Sequence, residues 1–100
     1  MQFENVTVIK AANIYLGGQV TSRTLIFPDG SKKTLGIIMP GEFTWNNTAQ
    51  ETKEIISGDL QVRFEGDADW KHYTAGSVLV VPPNTTAYYK IHTVTDYCYL

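Results

Sequence analysis

Few groups in this chain combine a reactive type with a telling spacing. Glu51 and Lys53 stand two residues apart in an alternating stretch, so a β-strand puts a carboxylate and an ammonium on one face together with Ile55, while Thr52 and Glu54 point away. The glutamate is then either a ligand for hydroxyl groups or a structural acceptor satisfied by its neighbours. The lysine is either the partner of a bound anion or the salt-bridge mate of the glutamate. His72 and His92 are the only histidines and Cys98 is the only cysteine. A transition-metal site needs three or four ligands converging at about 2.0–2.3 Å, usually with histidine among them. The two histidines read as surface or partly buried polar residues, and the remaining metal reading is an irregular set such as Glu51 with His92 or Cys98.

The elements that must position Glu51 lie between Gly36 and Leu60. This stretch reads as two hairpin segments joined by the polar loop Asn46–Gln50. Glu51 enters the second strand, Ser57-Gly58-Asp59 turns it into a third, and all are expected antiparallel on one sheet. Ahead of it, Phe3–Ile9 reads as a short edge strand or arm, and Val20–Phe27 and Lys32–Met39 form a hairpin closed by Pro28-Asp29-Gly30-Ser31, where proline presets φ and glycine follows two residues on. Pro40-Gly41-Glu42 is a second turn before Phe43-Thr44-Trp45. After Glu51, Leu60, Val62 and Phe64 alternate with Gln61, Arg63 and Glu65. Gly66–Asp69 is loop, with Trp70 and Tyr73 anchoring its return. Gly76 and Pro82 bracket the apolar run Ser77–Val81, and Thr86–Thr93 and Asp96–Leu100 finish the sheet. Proline or glycine interrupts nearly every window that could be helical. The expected architecture is all-β, one domain over residues 1–100, with roughly eight to eleven short strands.

Composition narrows the function classes. Of 100 residues, 43% are hydrophobic and 18% charged, the balance of an ordinary folded domain. A net charge of −2 without a basic run gives no basis for binding a nucleic-acid polymer. The amino end lacks a basic segment followed by an apolar run, no stretch reaches membrane-spanning length, and the lone thiol fits a reducing compartment. The expectation is a cytoplasmic protein without a membrane partner.

Two spacings resemble the cupin superfamily: Glu51, six residues, Gly58; and Gly76, five residues, Pro82. The resemblance implies a double-stranded β-helix, or jelly-roll, barrel. Metal-binding cupins carry two histidines ahead of the glutamate and one later, where this chain has Thr44, Asn46 and Ala87. Catalysis, if present, is expected to need no metal and no cofactor.

A closer resemblance runs over almost the whole chain, through Asn13-Ile14-Tyr15, Gly18–Ser22, Phe27–Gly30, Leu35–Phe43, Ile55–Gly58, Asp69-Trp70, Ala75–Ser77 and Thr95–Cys98. These segments resemble the small pyrimidine/purine nucleoside phosphorylase family, compact cupins once known only as a domain of unknown function. The resemblance implies broad-specificity phosphorolysis, a pentosyl transfer that yields free base and α-D-ribose 1-phosphate. The end Tyr97-Cys98-Tyr99-Leu100 is shorter than the family's usual tail, so activity is expected to change if the last strand contributes to the pocket or a dimer.

That reaction asks for donors to phosphate, a polar group for the ribose hydroxyls or the sugar cation, and a surface for the base. Inorganic phosphate as co-substrate has Arg23, Lys32, Lys33, Lys53 and Arg63 as candidates, arginine being favoured by its planar fork. Most such residues on a small domain are solvated surface charge. Glu51 is the leading catalytic candidate, since a cupin frame turns it inward. Thr44 and Asn46, at the vacated ligand positions, are candidates for ribose or base. Aromatic stacking tolerates every base, and Phe43, Trp45, Tyr73, Tyr89 and Tyr97 are available, although core packing is the commoner role for any one of them. Tyr89 shares a face with Ala87. A homodimer is expected through edge strands or the amino arm, where Phe3, Val6 and Val8 alternate. The alternatives are a non-catalytic nucleoside- or sugar-binding cupin and, behind it, a metal-dependent cupin enzyme.

Overall fold

The turn at Pro28–Ser31 shows how local chemistry starts the architecture. Asp29 Oδ1 accepts hydrogen bonds from the Ser31 amide (2.9 Å) and hydroxyl (2.6 Å), and Gly30 adopts φ 87°, a left-handed conformation that favours glycine. The two Ser31 bonds hold the Asp29 carboxyl below its ordinary pKa. The turn joins β3 (Val20–Ile26) to β4 (Lys32–Ile38) in an antiparallel pair running from Ile26↔Lys32 to Val20↔Ile38, as the sequence leads one to expect.

The computed structural model describes residues 2–100, and these contain eleven strands. Before β3 come β1 (Thr7–Val8) and β2 (Asn13–Tyr15), followed by a single 3-10 turn, Leu16–Gly18. After β4 come β5 (Gly41–Asn46), β6 (Glu51–Ser57), β7 (Asp59–Phe64), β8 (Lys71–Thr74), β9 (Val78–Val81), β10 (Thr86–Ile91) and β11 (Thr95–Tyr99). They form two antiparallel sheets. The larger has the order β1-β3-β4-β11-β6-β9, with β2 also on β3, and the smaller β5-β10-β7-β8. Two sheets closing face to face over one apolar interior make the expected jelly-roll barrel.

One expectation needs correction. The strands between Gly36 and Leu60 do not form hairpins with one another on a common sheet: β4 and β6 lie in the larger sheet, β5 and β7 in the smaller. Each connection crosses the barrel, because alternate wrapping is what buries both inner faces. At Gly58 the crossing is tight. Its φ is 120°, and a Cβ there would meet Thr95 Oγ1 at 2.5 Å.

Alternation along the strands fills the interior. Leu60, Leu79, Val81 and Ala87 are fully buried, and Ile55, Tyr73, Tyr89 and Ile91 pack with them. Each large side chain withdrawn from water contributes roughly 1.5–3 kcal/mol. The amino arm packs on its own chain: the Phe3 ring meets Phe27 edge to face at 5.2 Å, and β1 extends the larger sheet beyond β3. Trp70 lies against Arg63 and Lys90, and Tyr73 is buried opposite Leu60. Among the described residues no helix is long and apolar enough to cross a membrane.

Candidate active site

On β6, Glu51, Lys53 and Ile55 point inward and Thr52, Glu54 and Ile56 outward, because Ile55 is buried (1% exposed) and Glu54 and Ile56 are exposed. The barrel is packed solid around Ile55 but opens toward Glu51 into a cavity of about 310 Å³. Its wall combines an aromatic girdle of Tyr15, Phe43, Trp45, Tyr97 and Tyr99 with the polar groups of Ser22, Thr34, Glu51 and Lys53.

Lys53 Nζ lies 3.2 Å from Glu51 Oε1, with both side chains nearly nine-tenths buried. Trp45 Nε1–H donates to Glu51 Oε2 at 3.3 Å, so each carboxylate oxygen has one partner. The ammonium also sits over the rings of Tyr89 (5.5 Å) and Tyr97 (5.9 Å), a placement that attracts a cation. A buried ion pair is a weak source of stability, because withdrawing both charges from water offsets most of their attraction. A charged pair held in the wall of an open cavity is a candidate for binding or chemistry.

Strand register explains the other polar groups. Ser22, Gly36 and Tyr97 form one cross-strand row, and Thr34, Tyr99 and Lys53 form another. A methyl group on Gly36 would sit 2.5 Å from both Cζ and Oη of Tyr97. Glycine there lets the ring lie flat across β4 toward Ser22, which in turn accepts from Asn13 Nδ2 at 3.2 Å. Burial raises the Tyr97 phenol above its ordinary pKa, while Lys53 and the hydrogen bond with Ser22 oppose the rise. Tyr99 is raised chiefly by burial. Both phenols therefore keep their protons at neutral pH and are hydrogen-bond donors to whatever occupies the cavity. At its mouth Tyr15 stands edge-on to Trp45 at 5.5 Å, carried by a backbone that turns left-handed at Leu16 (φ 51°) and Gly17 (φ 65°).

The sequence candidates separate by strand parity. Glu51, Lys53 and Phe43 line the cavity. Arg23 points to the outer face of the larger sheet and donates to the Lys10 carbonyl at 2.8 Å. Lys32 is exposed at the start of β4, and Lys33 lies over the Phe3 and Phe27 rings. Arg63 is on the outer face of the smaller sheet, over Tyr88 and Trp70, because Leu60 and Val62 take the inward positions of β7. Of the five cations, Lys53 alone lines the cavity, while Arg23, Lys32, Lys33 and Arg63 lie outside it.

Thr44 and Asn46 face outward on β5, the latter accepting from Thr86 Oγ1 at 2.6 Å. The inward positions belong to Phe43 and Trp45. Tyr89 faces inward, but its ring is covered by Phe43 in a stacked contact (4.7 Å, 13°) and is 1% exposed. It packs as a core residue, and burial drives its phenol well above the ordinary tyrosine range. Its hydroxyl has no hydrogen-bond partner among the described residues.

Tyr15, Ser22, Thr34 and Tyr99 were not singled out by spacing. Their one sequence signal is parity within short strands that register brings beside Lys53.

Glu51 gathers no metal-binding set around it. His92, just after β10, pairs with Gln61 at 2.8 Å, and His72 on β8 pairs with Asp59 at 2.6 Å. Cys98 faces the opposite side of β11 from Tyr97 and Tyr99. Among the described residues no three His, Cys, Asp or Glu side chains converge.

Comparison with known proteins gives a consistent answer. Residues 10–99 match the profile of a family described as pyrimidine/purine nucleoside phosphorylase. A protein of that name from Geotalea daltonii is 53% identical over 97 residues, 97% of this chain and 93% of the relative. Another from Sulfurimonas denitrificans is 54% identical with the same coverage. Among solved structures, a protein of unknown function from Acinetobacter sp. ADP1 superposes with a TM-score of 0.89 at 39% identity, covering 98% of this chain and 95% of that one. A putative ethanolamine utilization protein from Salmonella typhimurium reaches 0.71 at 19% identity, covering 95% and 91%, a likeness of fold alone.

Proposed function

The chain belongs to the pyrimidine/purine nucleoside phosphorylase family and is an enzyme, and from that premise we propose that phosphorolysis takes place in the Glu51–Lys53 cavity. The reaction in this proposal breaks the bond from ribose C1′ to the base nitrogen and forms one from C1′ to a phosphate oxygen. The bonding pair leaves with the base, and phosphate enters on the opposite face of the sugar to give α-D-ribose 1-phosphate. Positive charge develops on the sugar as the old bond breaks ahead of the new one.

The observation that carries this reading is a carboxylate and an ammonium 3.2 Å apart in an aromatic cavity. Lys53 attracts phosphate and the hydroxyls of Ser22, Thr34, Tyr97 and Tyr99 donate to its oxygens, so the dianion needs no cluster of arginines. Phosphate drawn to Lys53 loosens the ammonium's hold on Glu51. The freed carboxylate faces the ribose, where it accepts from the hydroxyls and stabilises the cationic sugar. Trp45 keeps Glu51 oriented through its N–H, and its ring, with Tyr15 and Phe43, makes the surface for the base. Such a surface has few base-edge hydrogen bonds to offer, which supports acceptance of purines and pyrimidines alike. The mechanism needs no metal: at the cavity Glu51 is the one carboxylate and no imidazole or thiol joins it. A cytoplasmic setting, where phosphate and nucleosides meet, is part of the same proposal, and the free Cys98 thiol accords with it.

The test is base release from uridine, cytidine, adenosine, inosine and guanosine, with phosphate and without it, after EDTA treatment. The proposal expects phosphate-dependent release from both classes, unchanged by EDTA. Release without phosphate would make the enzyme a hydrolase, and tight binding without release would make the barrel a binding protein. Loss of activity on chelation, restored by one metal ion, would overturn the metal-free mechanism.

A further inference from the structure

Asn13 does not line the cavity, yet it shares a face of β2 with Tyr15, which does. Strand register sets it opposite Ser22 on β3. The Asn13 amide nitrogen has two protons to donate, and it faces two hydroxyls: Nδ2 lies 3.2 Å from Ser22 Oγ and 3.2 Å from Thr24 Oγ1. Ser22 is 5% exposed, so its immediate neighbours decide where its single proton points. With the Asn13 N–H on one side of Oγ, that proton is turned to the other. The row there continues through Gly36 to Tyr97, and the Tyr97 hydroxyl lies over Gly36, 2.5 Å from where a Cβ would stand. The hydrogen bond from Ser22 favours the ionised form of the Tyr97 phenol, which requires that the serine donates and the phenol oxygen accepts. Since Tyr97 accepts from Ser22, its own proton is left for the cavity.

We infer that Asn13 is a positioning residue: its amide fixes the direction of a hydrogen-bond relay, from Asn13 to Ser22 to Tyr97, so that phosphate in the cavity meets O–H donors. The inference rests on the proposed phosphorolysis, in which these hydroxyls bind phosphate. An acceptor in place of the Asn13 amide would reverse the relay. Ser22 would donate to it, Tyr97 would donate to Ser22, and the cavity would be offered the lone pairs of the phenol, which repel an anion. With the amide in place, Ser22 and Tyr97 both turn protons to phosphate when it arrives, because Asn13 supplies Ser22 with a donor and nothing behind it competes as an acceptor. A role in fastening β2 is already filled by the backbone ladder from Asn13↔Ser22 to Tyr15↔Val20. The side chain adds a direction to that ladder.

Steady-state kinetics on the full chain test this, with Asn13→Asp, Asn13→Leu, Ser22→Ala and the Asn13→Leu/Ser22→Ala pair. Asn13→Asp is expected to raise the KM for phosphate about tenfold or more and Asn13→Leu about threefold, each with the KM for nucleoside within about twofold of wild type. Asn13→Leu should add nothing further once Ser22 is alanine. A residue that only fastened β2 would lower the melting temperature, move both KM values together and add its effect to that of Ser22→Ala. The Cζ resonance of Tyr97 in protein carrying labelled tyrosine, assigned with Tyr97→Phe, reads the relay without turnover. It should move in Asn13→Asp, where Tyr97 changes from acceptor to donor toward Ser22. A moved resonance in a protein that releases no base would uphold the relay and defeat the phosphorolysis reading. An unmoved resonance, with or without base release, or a phosphate KM unchanged in Asn13→Asp, would overturn the relay.

Discussion

The two ends of the barrel interior are made by the same strands and have opposite character. Along β6 the inward side chains run Glu51, Lys53, Ile55, and along β11 they run Tyr99, Tyr97, Thr95. At the Ile55 end the space is filled by Leu60 and Ile91, each 0–4% exposed. At the Glu51 end the residues are larger and polar-tipped, and a cavity of about 310 Å³ remains. The packed end supplies the stability and holds the strands in register. The open end then carries a buried ion pair and a ring stacked across glycine, neither of which contributes much to folding. The comparison makes a sharp claim: substitutions at one end should move stability, and those at the other should move rate.

Glu51→Gln should show the largest effect. It keeps the size of the side chain and an acceptor for Trp45, but removes the charge facing the sugar cation. A fall of about 10²–10³ in kcat/KM, or roughly 3–4 kcal/mol of transition-state stabilisation, is expected, with a melting temperature near that of wild type. At the other end, Leu60→Ala should leave a cavity in a fully packed region and cost about 3 kcal/mol in denaturant unfolding, while the folded fraction turns over normally. If Leu60→Ala slowed the folded enzyme as much as Glu51→Gln does, the division of labour would be wrong.

Lys53→Met should raise the KM for phosphate about tenfold or more with a smaller change in the KM for nucleoside, since the remaining hydroxyl donors are neutral. Equal effects on both would mean that Lys53 serves only to position Glu51.

The smallest effect belongs to Tyr89, which sits between the two ends. Its buried, unpartnered hydroxyl should make Tyr89→Phe neutral or stabilising by about 1 kcal/mol. The sign of the pH effect follows from its raised pKa. Native and unfolded phenol are both protonated at neutral pH, and as pH climbs past the unfolded value, about 10, only the unfolded state loses its proton. Stability therefore falls above that point. Tyr89→Phe should fall less steeply in melts between neutral and alkaline pH; identical slopes would assign the alkaline loss to other phenols such as Tyr97.

Much of this arrangement is legible in the chain. The Pro28–Ser31 hairpin, the inward set Leu60 and Val62, and the inward Glu51 and Lys53 all follow from local rules of turn chemistry and alternation. Even the outward course of Arg63 is implied once Leu60 and Val62 are known to be buried. What local rules do not carry is the pairing across sheets. Thr44 and Asn46 stand at the positions where metal-binding cupins carry histidines, and the motif does not say how β5 presents them: β5 and β6 belong to different sheets, and both polar residues lie on the surface. Arg23 is ambiguous for a related reason. Leu25, on the same side of β3, is buried although it lies outside the core cluster, so burial alone does not reveal which side of β3 is inner. Tyr15 and Tyr99 reach the cavity from opposite ends of the chain, a convergence that depends on the register of several strands at once.

The measurement that bears most directly on the central claim is a side-by-side determination of kcat/KM for phosphorolysis of uridine and inosine by wild type, Glu51→Gln and Arg63→Met. With the chemistry at the barrel's open end, Glu51→Gln should lose at least about a hundredfold on both nucleosides, while Arg63→Met, altered on the outer face, stays within about twofold of wild type. A Glu51→Gln enzyme that turns over at the wild-type rate, or an Arg63→Met enzyme that does not turn over at all, would move the active site out of this cavity.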